Sequence, residues 1–119
     1  MLMDSKSLIL ARQYLGKRIT IAIDRKLGSK HPEWDFKYLV NYGFVKGVTA
    51  PDGEDLDAYL LKVNVPVDTY SGIVAAIVHR LEDDDDKLVV IPGGETISDI
   101  EIEKMVEFQE KWFKHKIVR

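Results

Sequence analysis

The sequence predicts a mainly β fold with helices: short strands closing into a small barrel, a short N-terminal helix and a longer C-terminal one. Three observations predict it. Apolar and polar residues alternate over several short stretches bounded by Gly, Pro and Asp. Only one long stretch, near the end of the chain, repeats its apolar residues at helical spacing. The length, 119 residues, suits one domain spanning 1–119, with room for one core.

The elements follow in order. Ser5 to Leu15 reads as a short helix, with Leu8, Ile9, Arg12 and Leu15 near helical spacing. Lys17 to Asp24 alternates, placing Ile19, Ile21 and Ile23 on one face of a half-buried strand. Residues 25–35 hold Gly28, Pro32 and five charged residues, a loop composition. Tyr38 to Val45 reads as a strand with Gly43 inside it, a sign of a bulge or close backbone approach. Pro51-Asp52-Gly53 is a turn signal, because proline fixes φ and glycine accepts positive φ. Leu56 to Val63, Gly72 to His79 and Lys87 to Ile91 read as further strands, the second buried on both faces. Ser98 and Glu101 have the spacing of a capping box, and Ile102, Met105, Val106, Trp112 and Phe113 form an apolar stripe behind it. Closing the strands on themselves removes exposed sheet edges, and an OB-like closed barrel is one economical way to do so. The last helix then lays its stripe on the barrel's outside or over one end.

Bulk properties narrow the function classes. A net charge of −3 argues against a nucleic-acid or anionic-membrane surface, since both need excess Lys and Arg. The longest apolar run, Ile73 to Val78, is too short to span a bilayer. Ser5 to Leu15 does not read as a signal peptide, because it contains Lys6 and Arg12 and no small-residue cleavage site. With no cysteine, thiolate chemistry and disulfides are excluded, and a cytoplasmic protein is the expected setting.

Of 20 acidic residues, nine fall in two windows: Asp52, Glu54, Asp55 and Asp57, then Glu82 and Asp83 to Asp86. One reading is a solvated turn and a solvated loop, the usual state of charge runs. Three features support a divalent-metal reading instead. Asp57 lies in an apolar strand pattern on the side of Tyr59, Leu61 and Val63, where an unpaired carboxylate is costly. Both windows abut strands that one sheet rim would bring together. Cations flank them, notably Lys87, and Mg²⁺ favours carboxylate oxygens together with substrate phosphates. Neither an EF-hand frame nor a P-loop is present.

At these residues the chain resembles the soluble (family I) inorganic pyrophosphatases. Asp52-Gly53-Glu54-Asp55-Leu56-Asp57 resembles their D-x-D-P-x-D signature, with Glu54 at the middle aspartate and Asp55 at the proline. Tyr38 to Phe44 resembles Y-P-x-N-Y-G-Y/F, Asp85-Asp86-Lys87-Leu88-Val89 resembles D-x-K-x-V, and Phe108 to Lys114 resembles the F-F-x-x-Y-K of the last helix. The resemblance covers about residues 37 to 114, in the family's order.

It implies an OB-like barrel, Mg²⁺ or Mn²⁺ as cofactor, and hydrolysis of pyrophosphate by a metal-activated water. By position it implies Asp52, Asp57 and Asp85 as metal ligands, with Asp83 as stand-in for a further aspartate and Glu82 as the other choice. Glu54, with Asp57, would serve the attacking water, and Tyr42, Lys87 and Lys114 would contact phosphate. It also implies a tendency to homo-oligomerise, with Trp112 and Phe113 at an interface as one possibility. The chain departs from the family between Ile23 and Lys37, where a hairpin with a glutamate, a lysine and an arginine is missing. Arg25, Lys26 and Lys30 are the nearby cations, and Arg25 is the candidate phosphate contact. Phe113 stands at the helix tyrosine. The rival readings are a relative acting on another phosphorylated ligand, and one that binds metal or a protein partner without turnover.

Four other features have structural readings of their own. Tyr42 suits a core tyrosine as well as a phosphate donor. His79 reads as a satisfied strand-end histidine, Trp112 as core packing, and Pro92-Gly93-Gly94 as the turn into the last helix. Asp55, Asp84 and Asp86 read as solvated.

Overall fold

A computed structural model describes residues 5–83 and 85–119. The reading of Asp84 therefore lies outside the described residues. The elements are α1 (Lys6–Arg12), β1 (Arg18–Arg25), β2 (Asn41–Thr49), β3 (Asp55–Leu60), β4 (Thr69–Arg80), β5 (Lys87–Ile91), α2 (Asp99–Glu110) and β6 (His115–Val118).

The strands run in the order β1-β2-β3-β5-β4, and β1 also pairs with β4, so five strands close into the expected barrel. All these pairings are antiparallel except β3 with β5, which is parallel. β4 makes closure possible. Its first residues pair with β1, Arg18 opposite Ile73, and its last pair with β6, Ile77 opposite Val118. A register shift between Val74 and Ala76 lets Val74 and Ile77 both point into the barrel while Ala76 and Val78 point out.

Two apolar clusters result. Inside the barrel lie Ile21, Val45, Leu56, Ala58, Leu60, Ile77, Leu88 and Val90, joined by Leu8 and Ala11 of α1. Outside, Tyr59, Leu61, Val78, Val89 and Ile91 receive Ile102 and Val106 of α2. Burying each of those two helix side chains contributes about 1.5–3 kcal/mol relative to exposure. α2 starts at the expected capping box: Ser98 Oγ accepts from Glu101 N at 3.1 Å, and Glu101 Oε1 accepts from Ser98 N at 3.2 Å.

The differences from expectation have local causes. β2 starts at Asn41 rather than Tyr38, because the Tyr38 backbone bonds to Gly28 and Ser29 of the preceding loop. β3 ends at Leu60, two residues before Lys62 takes a left-handed φ of 65°. α2 stops at Glu110, so Trp112 and Phe113 are not part of its stripe; Trp112 is 59% exposed and is not core. Strand β6 was not expected from the sequence.

Candidate active site

Parallel pairing of β3 and β5 sets Asp57 beside Lys87 on the barrel's outer face. Lys87 is almost fully buried, and its ammonium donates to Asp57 Oδ2 at 2.8 Å and to Asp85 Oδ1 at 2.6 Å. Tyr42 of β2 sits opposite Tyr59 of β3, and the Lys87 ammonium lies 5.7 Å from its ring centre. Burial raises the proton affinity of Asp57 above the ordinary 3.8, and the Lys87 charge opposes this without cancelling it. Burial, and then the Asp57 charge, push the Tyr42 phenol well above 10.0, so it stays a neutral hydrogen-bond donor.

Behind this group lies a buried network. Arg80, at the end of β4, places Nε 3.0 Å from Glu110 Oε1 and Nη2 2.9 Å from Oε2. The Tyr59 phenol donates to Glu110 Oε2 at 2.5 Å and accepts from Gln109 Nε2 at 2.7 Å. Burial works against the Arg80 charge, but the hydrogen bonds and charge of Glu110 outweigh it and hold the guanidinium above its ordinary value. Arg80 Nη1 reaches Asp85 Oδ2 at 3.4 Å, so the network steadies one of the two carboxylates on Lys87. The sequence reading missed Arg80 and Glu110. The available signal was spacing: Glu110 follows Ile102 and Val106 at four-residue intervals, which puts a carboxylate on the buried face of α2.

Asp57, Asp85, Lys87, Tyr42 and Arg80 open onto a cleft of about 570 Å³, with Arg25 on its wall. Asp52, Glu54, Glu82, Asp83 and Lys114, also named from the sequence, do not line it, whereas Phe113 does. Asp52 Oδ1 is turned into its own turn, accepting from Glu54 N at 2.9 Å, and both residues are exposed. Asp83 accepts from Asp85 N at 3.2 Å and lies 3.8 Å from Arg80. The Lys114 ammonium is 3.4 Å from Glu82, with its side chain 78% exposed. Asp55 is exposed as expected, but Asp86 is not: only 2% exposed, it accepts from Arg80 N at 2.9 Å and meets His79 Nδ1 at 3.0 Å.

Two carboxylates facing one ammonium leave a net negative charge of one at this point. Their hard oxygens suit a single Mg²⁺ completed by phosphate and water. Among the described residues no group of three or more Asp, Glu and His side chains is gathered to hold a metal.

A barrel of this topology, with its outer face covered by one C-terminal helix, defines a recognisable class: the chain has the fold of the soluble inorganic pyrophosphatases. The inorganic pyrophosphatase of Ehrlichia chaffeensis matches with a TM-score of 0.66 at 15% identity, over 85% of this chain and 84% of that one. That of Helicobacter pylori gives 0.63 and 16%, over 84% and 81%. That of Neisseria gonorrhoeae gives 0.61 and 23%, over 78% and 71%. No protein-family model matches the sequence, and comparison with curated proteins finds no match. Among the described residues no helix is long and apolar enough to cross a membrane.

Proposed function

We propose that this chain hydrolyses a phosphoanhydride with the help of a divalent cation, inorganic pyrophosphate being the first substrate and Mg²⁺ or Mn²⁺ the ion. The observation that carries the reading is the Asp57–Lys87–Asp85 cluster at the base of a cleft, on a fold shared with inorganic pyrophosphatases.

The chain's own residues divide the work. Lys87 is a compact charge that can exchange its carboxylate partners for phosphate oxygens. Arg25, also lining the cleft, supplies a second positive group. Tyr42, held neutral, donates to a phosphate oxygen without adding charge. Asp57 and Asp85 would hold the cation. When bound, such an ion neutralises developing charge and lowers the pKa of a water. Asp57, whose proton affinity burial raises, suits taking a proton from the attacking water at a carboxylate oxygen. Arg80 and Glu110 hold Asp85 in place from behind.

Phosphate release from pyrophosphate, followed with Mg²⁺ and after chelation, tests the reading. Release with the ion and none without it is expected; ion-independent release, or none in either condition, would overturn it.

A further inference from the structure

The pyrophosphate reading leaves much of the cleft unused. Phosphate contacts occupy its ionic residues, yet its volume of about 570 Å³ falls in the range that holds whole organic ligands. Aromatic side chains line it as well. Among the described residues eight large hydrophobic side chains are exposed. The three aromatic ones, Trp34 (63%), Trp112 (59%) and Phe113 (41%), all line the cleft. The five aliphatic ones, Ile9, Leu39, Val65, Leu81 and Ile100, do not.

This wall is held in shape. His31 Nδ1 accepts from the backbone N–H groups of Glu33 and Trp34 at 3.0 and 3.1 Å. The loop closes on itself through His31 N to Phe36 O at 2.9 Å and a bridge between Lys30 and Lys37. The Phe36 ring packs 5.8 Å from Trp112 and 5.9 Å from Phe108. Aromatic and ionic residues of the cleft touch where the Arg80 guanidinium lies 3.7 Å over the Phe113 ring. The loop that lacks the expected charged hairpin thus contributes an indole to the cleft instead.

We infer that the cleft takes a nucleoside diphosphate, its phosphates at Lys87 and Arg25 and its base against the exposed indoles of Trp34 and Trp112. This rests on the phosphoanhydride reading above. A flat base suits an aromatic wall because every base has a π-face to stack. Concave placement favours a small ligand over a second protein surface, and a divalent cation at Asp57 and Asp85 would offset the acidic lining for its phosphates. The reaction on such a ligand needs only water. Its oxygen bonds to the terminal phosphorus, the bridging P–O bond breaks with its electron pair left on the nucleoside monophosphate, and the water's protons pass to the phosphates and solvent.

The test compares two non-hydrolysable ligands that differ only by the nucleoside, methylene-bridged ADP and methylenediphosphonate, by calorimetry with Mg²⁺. The ADP analogue is expected to bind at least about tenfold tighter, the lower range of base-stacking energies. Trp34→Ala and Trp112→Ala should each remove most of that gain and leave diphosphonate binding unchanged, and Trp34→Phe should restore it. Thermal melts confirm that the variants fold. Equal affinity for the two ligands, or equal weakening of both by the variants, would overturn the inference while leaving pyrophosphate hydrolysis standing. Tryptophan-dependent binding of the analogue by a protein that releases no phosphate from pyrophosphate would uphold it and sink the hydrolysis reading. Absence of binding by either ligand, or association that follows protein rather than ligand concentration, would overturn it too.

Discussion

Arg80 of β4 grips Glu110 at the end of α2 with two hydrogen bonds, 3.0 and 2.9 Å long, and only 6% of Arg80 and none of Glu110 is exposed. Removing one partner of such a pair strands a buried charge, which costs about 3–5 kcal/mol. Glu110→Ala should therefore lower the urea midpoint sharply. The double variant Arg80→Met/Glu110→Leu should be more stable than Glu110→Ala, since no charge is left alone. A double variant less stable than the single one would contradict this.

Lys87 is the only cation bonded to Asp57 among the described residues. Lys87→Met should lower kcat/KM for pyrophosphate by about 10²–10³, the cost of losing one preorganised charged group at a transition state. Lys87→Arg should not restore it, because a planar fork cannot take the place of a compact ammonium between two carboxylates. Full activity of Lys87→Met would remove the lysine from the site.

Gly43 lies opposite Ile23, and a Cβ there would sit 1.8 Å from the Ala22 carbonyl oxygen. Backbone must move to admit it. Gly43→Ala should cost more than the roughly 1–3 kcal/mol of ordinary overpacking, read as a loss of soluble protein or a lowered melting temperature. A melting temperature equal to wild type would show that β1 can shift freely.

His115 of β6 meets Glu103 of α2 through Nε2 at 2.6 Å. Burial alone would lower its pKa, but the Phe113 carbonyl and Glu103 together raise it above 6.5. The folded state therefore holds the proton more tightly than the unfolded chain. That contribution to stability is fully present below pH 6.5 and is lost as pH rises through the folded value. Urea midpoints measured across this range should fall with pH for wild type and more weakly for His115→Gln. Identical slopes would refute the assignment.

How far the sequence was legible depended on how local each signal was. The Ile19-Ile21-Ile23 alternation and the Ser98–Glu101 box are complete within a few residues, and both appear where read. Barrel closure needed the long β4 to pair with both β5 and β1, which no local pattern reports. β6 was missed because four residues with two basic ones carry little alternation, though Val118 reaches the barrel interior. In the site, Asp57 was legible as a carboxylate in an apolar strand. Its pairing with Lys87 depended on the parallel register of β3 and β5. The resemblance implied both Asp52 and Asp57 as metal ligands, but a turn bond holds Asp52 while the pleat aims Asp57 at the cleft. Asp86 read as one more solvated acid, and only the fold shows it bonded to the end of β4.

The most direct test is the rate of phosphate release from pyrophosphate with saturating Mg²⁺, for wild type and Asp57→Asn, which keeps the side chain's shape and removes its charge. Mg²⁺-dependent release by wild type, reduced about 100-fold or more in Asp57→Asn, is the expected result, since misplacing a reacting group alone has that effect. Release that ignores Mg²⁺, or that Asp57→Asn leaves unchanged, would contradict the assignment of the Asp57–Lys87–Asp85 cluster as the catalytic centre.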